Sequence, residues 1–235
     1  MADWNKAIAL NPNYADTYYT RGLLYQTQGK PDLALSDYNK VISLNPNYAN
    51  AYYNRGNLYK DQGKPDLALS DFNKVISLNP NYANVYYNRG LLYKNQGKSD
   101  LALSDYNKTI ALNPNFADAY SNRGILYRNQ GKADLALSDY NKVIALNPKN
   151  ANAYNDRGLF YALQKKPDLA LADFNLAIAI NPTFPTAYVG LGFVYIEMGN
   201  TEVAKTNLKK AQQLFIAQGN TAGAEQIANI LQQLP

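Results

Sequence analysis

Three asparagines recur at a fixed interval along the chain: Asn54, Asn88 and Asn122. A carboxamide both donates and accepts hydrogen bonds, so it can pair with either polar group of a peptide unit. A row of such side chains therefore indicates a site that holds an extended backbone. The alternative interpretation is that these asparagines only hydrate an exposed helix face.

Other candidate binding residues keep the same interval. Tyrosine offers contact area with little conformational entropy to lose, although these rings are equally suited to packing between neighbouring segments. The apolar positions would be partly exposed to water without a partner. The cations would favour acidic ligands, or would serve only as dipole partners at helix ends. With the three asparagines, the candidate peptide-binding residues are Tyr19, Tyr53, Tyr87, Asn57, Leu91, Ile125, Lys60, Lys94 and Arg128.

The composition argues against several kinds of function. The chain has no cysteine and no histidine, so thiolate chemistry and the commonest metal ligand are absent. The net charge of +5 is mild and the basic residues are evenly spread, which disfavours nucleic acid as a partner. No apolar run is long enough to span a membrane. We therefore expect no catalytic residue, metal or cofactor, no membrane partner, and, without a recognisable leader, a cytoplasmic location.

The segments that position the candidate residues belong to a repeated sequence. The prolines that follow asparagine are equally spaced, at Pro12, Pro46, Pro80, Pro114, Pro148 and Pro182. A fixed period of this length indicates a stacked array. Within each repeat, the helical spacing of the apolar residues predicts two helices. A glycine such as Gly63 ends the first helix, and Asn-Pro ends the second.

The repeats are counted here from Ala15, and each residue is given a repeat position, with Ala15 at position 1 and Tyr48 at the last position of repeat 1. The predicted repeats are residues 15–48, 49–82, 83–116, 117–150, 151–184 and 185–218. Residues 1–14 align with a second helix alone, so we interpret them as a half repeat and expect the chain to be a fragment of a longer protein. Residues 219–235 are polar on one side and apolar at Ile227 and Leu231, which predicts a cap helix.

Small and large residues alternate at the packing positions, as in Tyr52, Gly56, Tyr59, Ala68 and Phe72 of repeat 2. In this pattern, nearly the whole chain resembles the tetratricopeptide repeat (TPR) family. The resemblance implies an all-α, right-handed superhelical solenoid of helix-turn-helix repeats, with a concave groove lined by the first helices. A similar asparagine ladder binds extended peptides in a superhelical member of the family. The candidate residues are expected on the face of each first helix that is turned from its second helix.

Two repeat positions, 7 and 23, change together. Position 7 is arginine and position 23 is aspartate in repeats 1 to 5, and in repeat 6 both are replaced, by Leu191 and Asn207. This covariation predicts an Arg–Asp pair between the two helices of each hairpin. We interpret the pairs as structural rather than as ligand sites, because an unpaired charge beside packing positions is costly.

The sequence thus predicts a non-catalytic scaffold for protein–protein interaction, which binds an extended peptide or a partner helix. The alternative is a self-assembly element that stacks end to end and forms weak homo-oligomers. Trp4 and Ile8 favour this alternative, because a second helix without its partner would leave apolar surface open. An enzyme would need a catalytic domain outside this chain.

Overall fold

The computed structural model describes residues 2–235, with side chains from Trp4 onward. The predicted half repeat begins at Met1, which lies outside the described residues. Fourteen α-helices and no β-strand are found in residues 2–235. The all-α fold of helix-turn-helix repeats is therefore confirmed. The helices are α1 (Ala2–Leu10), α2 (Ala15–Thr27), α3 (Pro31–Leu44), α4 (Ala49–Asp61), α5 (Pro65–Leu78), α6 (Ala83–Asn95), α7 (Ser99–Leu112), α8 (Ala117–Asn129), α9 (Ala133–Leu146), α10 (Ala151–Leu163), α11 (Pro167–Ile180), α12 (Pro185–Glu197), α13 (Thr201–Ala217) and α14 (Thr221–Gln233).

A left-handed residue ends the first helix of each hairpin. Gly63 after α4 has a φ angle of +69°, which a glycine adopts without steric cost. The next amide, of Lys64, then donates to the carbonyl of Tyr59 at 2.8 Å and closes the helix end. In repeat 5 the same position is Lys165, with a φ angle of +56°.

In repeat 2, the second helix begins at one proline and ends before another. Pro65 occupies the first turn of α5, where its missing N–H is not needed, and Asp66 beside it suits the positive end of the helix dipole. At the other end, Asn79 has non-helical backbone, with φ of −141° and ψ of 89°. The residue before a proline is driven out of helical geometry, so α5 ends before Pro80.

Close contact between the two helices of a hairpin depends on glycine at position 8. A Cβ atom on Gly56 would lie 2.8 Å from the ring of Phe72, closer than packed carbon atoms approach. Ala68, at position 20 of the same repeat, is fully buried. The small residues therefore allow α4 and α5 to approach each other, and the aromatic ring fills the space beside them.

The chain divides into two compact units, residues 1–119 and residues 120–235. The core of the first unit contains Phe72, Val75 and Val85, all fully buried. In the second unit, Phe174 and its neighbours from α12 form a similar cluster, and α14 buries Ala224 and Ile227. Among the described helices, none combines the length and apolar character required to cross a bilayer.

The apolar surface that α1 exposes lies at Leu10, and not at Trp4 and Ile8 as the sequence predicted. Trp4 is half-buried, and Ile8 packs against the buried cluster formed by Tyr18, Val41 and Ala51. The most exposed large apolar side chain there is Leu10, at 79%. A helical neighbour thus covers much of Ile8, whereas Leu10 lies at the helix end, where no packing partner covers it.

Candidate protein-binding site

The arginine at position 7 binds the aspartate at position 23 through two nitrogen atoms. In repeat 2, Nε of Arg55 donates to Oδ2 of Asp71 at 2.8 Å, and Nη2 donates to Oδ1 at 2.6 Å. The Asp71 side chain is 4% exposed, and its hydrogen bonds raise the pKa of the Arg55 guanidinium. The predicted pairing is confirmed in repeats 1 to 5. The pairs are Arg21–Asp37, Arg55–Asp71, Arg89–Asp105, Arg123–Asp139 and Arg157–Asp173.

The same arginine also reaches back to the preceding repeat. Nη1 of Arg55 donates to Oδ1 of Asn39 at 2.6 Å, and Nη1 of Arg89 donates to Oδ1 of Asn73 at 2.6 Å. The corresponding bonds at Arg21 and Arg157 go to Asn5 and Asn141. Each of these arginines therefore joins three helices, because its asparagine stands on the second helix of the repeat before it.

Two tyrosines flank each of these guanidinium groups. Cζ of Arg55 lies 5.4 Å from the ring centroid of Tyr52 and 5.7 Å from that of Tyr59. Positions 4, 7 and 11 share one helix face, so the contact follows from helical spacing, and a cation over an aromatic ring is attracted to it. We name the arginine, aspartate, asparagine and two tyrosines the arginine node. The nodes explain much of the chain's high tyrosine content without a ligand.

Two of the predicted asparagines are oriented by a tyrosine of the preceding repeat. Nδ2 of Asn54 donates to the hydroxyl of Tyr19 at 3.0 Å, and Nδ2 of Asn88 donates to that of Tyr53 at 3.0 Å. Asn88 also donates to Oδ1 of Asn57 at 2.9 Å. Within the part of the chain that the structure describes, the carboxamide oxygens of Asn54 and Asn88 receive no hydrogen bond. Both oxygens are thus acceptors that a ligand N–H can use.

The tyrosines at position 5 pack between aromatic rings of their own repeat. The ring centroid of Tyr53 lies 6.2 Å from that of Phe72 and 4.8 Å from that of Tyr82. Tyr19 packs in the same way on Tyr38 and Tyr48, and Tyr87 packs on Tyr106 and Phe116. The expectation that position 5 faces away from the second helix is therefore wrong, because the long ring reaches position 24 of that helix. Burial raises the pKa of Tyr19, and the hydrogen bond from Asn54 opposes this rise.

The remaining candidate residues are half-buried on the first helices. They are Leu91, Ile125, Lys60, Lys94, Arg128 and Asn122. Nζ of Lys60 lies 3.7 Å from Oδ1 of Asp61, a long and partly exposed contact that contributes little free energy. Arg128 donates over 3.4 Å to the residue that follows it. Lys60 and Arg128 can therefore turn toward an acidic ligand at a small cost.

Some buried polar atoms in the hairpins have no hydrogen-bond partner. The hydroxyl of Tyr38 donates to Oε1 of Gln26 at 2.9 Å. The hydroxyls of Tyr106 and Tyr140 are buried at the same repeat position, and neither has a partner among the described residues. In repeats 3 and 4 a cation stands where repeat 1 has Gln26, and a cation offers no acceptor.

The hydrogen bonds between positions 5 and 6 of neighbouring repeats stop before repeat 6. Ser121 Oγ still donates to Oδ2 of Asp156, at 3.3 Å. Asn155 stands at position 5 of repeat 5 and is 6% exposed, but its Oδ1 has no partner among the described residues. Position 6 of the next repeat is Gly190, which has no side chain to donate.

The chemistry available on these helices is that of binding. Among the side chains described, from Trp4 to Pro235, no three histidine, cysteine, aspartate or glutamate residues are grouped to hold a metal ion. The amides of Asn54 and Asn88 offer acceptors, Leu91 and Ile125 at position 9 offer apolar contact, and the position-12 cations offer charge. These groups can recognise a peptide backbone together with apolar and acidic side chains.

Comparison with known proteins agrees with the repeat geometry. A family model described as "Tetratricopeptide repeat" matches residues 15–48, 49–82, 83–116, 117–150 and 151–184, and a second model of that description matches residues 185–215. No curated protein sequence matches significantly.

Solved structures of TPR proteins are similar to the chain. YrrB, described as a TPR protein with an unusual peptide-binding site, is 28% identical with a TM-score of 0.67, over 78% of this chain and 95% of YrrB. The MamA protein is 30% identical with a TM-score of 0.65, over 72% of this chain and 92% of MamA. A tetratricopeptide repeat protein from Parabacteroides merdae shares the fold at 20% identity and a TM-score of 0.75, over 94% of this chain and 93% of that one. The chain therefore belongs to the tetratricopeptide repeat family, as a scaffold for protein–protein interaction.

Proposed function

We propose that the chain is a non-catalytic scaffold that holds an extended peptide from a protein partner against its first helices. The observation that carries this proposal is the orientation of Asn54 and Asn88. Each is held by a tyrosine hydroxyl of the preceding repeat, and each keeps a carboxamide oxygen without a donor among the described residues. The similarity to YrrB, a TPR protein with a peptide-binding site, supports the same conclusion.

The repeat spacing suits an extended backbone. An extended peptide rises roughly 3.3 Å per residue, and stacked hairpins recur at roughly 10 Å, the diameter of a helix. Successive asparagines would thus meet the backbone at about every third peptide residue. Such contacts fix the direction of the peptide without reading its sequence.

Sequence preference would come from the neighbouring positions. Leu91 favours an apolar peptide residue, and Lys60 and Lys94 favour acidic ones. In repeat 4, Asn122, Ile125 and Arg128 carry the same residue types at the same repeat positions, so we include them among the binding residues. The preferred peptide is therefore acidic, with apolar residues between the charges.

The experiment uses short peptides selected on the full chain from a random display library. We expect the combined change Asn54→Ala and Asn88→Ala to weaken the selected peptides by about 2 kcal/mol, or roughly 30-fold, since each lost hydrogen bond contributes about 1 kcal/mol. Adding Asn122→Ala should weaken them further. Isothermal titration calorimetry measures the affinities, and circular dichroism verifies folding.

A matched control replaces two asparagines outside the first helices. Asn47 and Asn81 lie exposed in the turns between hairpins, where their backbone amides donate to the side chains of Asn45 and Asn79. Asn47→Ala with Asn81→Ala should leave the affinity unchanged. Equal affinities for the folded Asn54/Asn88 variant and this control would show that the first helices are not the site.

Self-assembly remains a second candidate because of one exposed side chain. Leu10 is 79% exposed at the end of α1, and an apolar residue so exposed can mediate contact with another copy. Sedimentation velocity over a wide range of protein concentrations tests this. A mass that rises with concentration in the unmodified chain, but not in Leu10→Lys, would support self-assembly, and a constant monomer mass would exclude it.

A further inference from the structure

An apolar cleft opens in the second unit between α10, α12 and α14. Its volume is about 310 Å³, and its lining includes Leu159, Phe174, Val189, Phe193, Phe215 and Ile227. Leu159 is 37% exposed and Phe193 is 46% exposed. A concave, mostly apolar cavity of this size is typical of a place where a ligand is buried.

The cleft exists because repeats 5 and 6 depart from the pattern at two positions. At position 12, where repeats 2 to 4 carry a cation, repeat 5 has Ala162. At position 6, where repeats 2 to 4 carry asparagine, repeat 6 has Gly190. A Cβ atom on Gly190 would overlap the ring of Phe174, so that ring occupies the space of a position-6 side chain and forms the floor of the cleft.

We propose that this cleft takes one uncharged aromatic or large aliphatic side chain of a bound peptide. The proposal rests on the peptide-binding function proposed above and adds an anchor residue to it. No ionisable side chain of the described residues lines the cleft, so a charged peptide residue entering it would lose its hydration without finding an opposite charge. A neutral apolar residue loses nothing of this kind and gains the free energy of its burial.

The polar groups of the cleft favour a peptide over a lipid. The polar side chains in the lining are the Thr186 hydroxyl and the Gln226 carboxamide, and both residues are exposed. These neutral groups can donate to a peptide carbonyl and accept from a peptide N–H. A fatty acid would present a carboxylate, which binds best to a cation, and the described lining contains none.

The first test uses small probes on the unmodified chain. N-acetyl-tryptophanamide carries a neutral aromatic side chain between two peptide groups, and N-acetyl-lysinamide replaces that side chain with a charged one. With methyl-labelled protein, we expect saturable NMR shifts of Leu159, Val189 and Ile227 for the tryptophan probe alone. No shift, equal shifts with the lysine probe, or tighter binding of decanoate would each overturn the proposal.

The second test restores the cation that other repeats carry. Ala162→Lys places a lysine in the cleft wall, and Leu163→Lys is the matched control, because Leu163 is 65% exposed and does not line the cleft. We expect Ala162→Lys to abolish saturable binding of the tryptophan probe and Leu163→Lys to leave it unchanged. Circular dichroism verifies folding. If Ala162→Lys does not fold, the probe titration of the unmodified chain decides.

Library-selected peptides then separate this proposal from the peptide-binding function. Replacing the anchor residue of a selected peptide with alanine should weaken it by roughly 10- to 100-fold on the unmodified chain, and far less on Ala162→Lys. If Asn54→Ala with Asn88→Ala weakens the peptides while folded Ala162→Lys does not, peptide binding stands and the anchor site is wrong. If the Asn54/Asn88 variant binds normally and only Ala162→Lys fails, the anchor site stands and the asparagine site is wrong.

Discussion

Arg89 binds Asp105 in a parallel, two-bonded pair, with Nε to Oδ2 at 2.8 Å and Nη2 to Oδ1 at 2.7 Å. Because the Asp105 side chain is 4% exposed, Arg89→Leu would leave a buried carboxylate without its counter-charge. We expect this change to lower the free energy of unfolding by about 3 kcal/mol or more. Urea denaturation followed by circular dichroism measures it.

Repeat 6 supplies the compensating change for that experiment. It carries Leu191 and Asn207 in place of the pair, so adding Asp105→Asn to Arg89→Leu should recover part of the lost stability. Lys98→Leu, which removes an exposed cation outside the node, should change stability little. A double variant no more stable than Arg89→Leu would mean that the loss comes from the arginine alone.

The asparagine at position 25 can be tested with a control from the same chain. Asn73 accepts a bond of 2.6 Å from Arg89, whereas Asn175 stands at the same position in repeat 5, before a repeat whose arginine is replaced by Leu191. We expect Asn73→Ala to cost about 1 kcal/mol and Asn175→Ala to cost close to nothing. Equal effects on the urea midpoint would indicate that the bond between repeats does not stabilise the fold.

The unpartnered hydroxyl of Tyr106 predicts a substitution that does not destabilise. Tyr106→Phe removes a buried polar atom that has no hydrogen bond within the described part of the chain, and the chain already uses Phe72 at this position. We expect no loss, or a gain of up to about 1 kcal/mol. Tyr38→Phe should instead cost about 1 kcal/mol, because Tyr38 donates to Gln26. Thermal unfolding of the two variants compares them directly, and a larger loss for Tyr106→Phe would contradict the prediction.

The buried tyrosines predict a loss of stability at high pH. Burial raises the pKa of Tyr140 to about 12 from the ordinary value of 10.0, and burial likewise raises the pKa of Tyr82 to about 12. Between pH 10 and 12 the unfolded chain therefore holds fewer protons than the folded one, and stability falls as pH rises.

The share of Tyr140 in this loss is at most about 1.4 kcal/mol per pH unit. Tyr140→Phe should reduce the slope of urea midpoint against pH in this range, while Tyr14→Phe, which removes an exposed hydroxyl, serves as control. Full stability is expected below pH 10. A slope unchanged by Tyr140→Phe would show that this hydroxyl ionises as easily in the folded chain as in the unfolded one.

Features that repeat or change together could be predicted from the sequence. The fixed period, the turn glycines and the Asn-Pro stops predict the helices, and the joint replacement of position 7 and position 23 in repeat 6 predicts the Arg–Asp pairs. The asparagine at position 25 gave no such signal. Asn175 remains at that position although the arginine it would bind has become Leu191.

The candidate site is less accessible to sequence reasoning. The periodic pattern predicts that Asn54 and Asn88 lie on the first helices. Their hydrogen bonds to Tyr19 and Tyr53 of the preceding repeats are seen only in the folded structure. The apolar cleft forms where repeats 5 and 6 depart from the repeat pattern, at Ala162 and Gly190. A search for residues that recur in every repeat does not detect such departures. Gly190 was one visible signal, since it replaces a polar residue at position 6 and lets a ring take its place.

Because the arginine nodes of the first unit have the same geometry, the asparagine of one repeat could replace that of the next. Asn39 and Asn73 stand at the same repeat position, as do Arg55 and Arg89, and each arginine meets the asparagine before it at the same 2.6 Å. Excising residues 49–82 would therefore bring Asn39 next to Arg89 and restore a complete arginine node. A cut that is not a whole number of repeats would leave the arginine without its asparagine, so one whole repeat is the smallest step by which such an array can be lengthened or shortened without breaking the node.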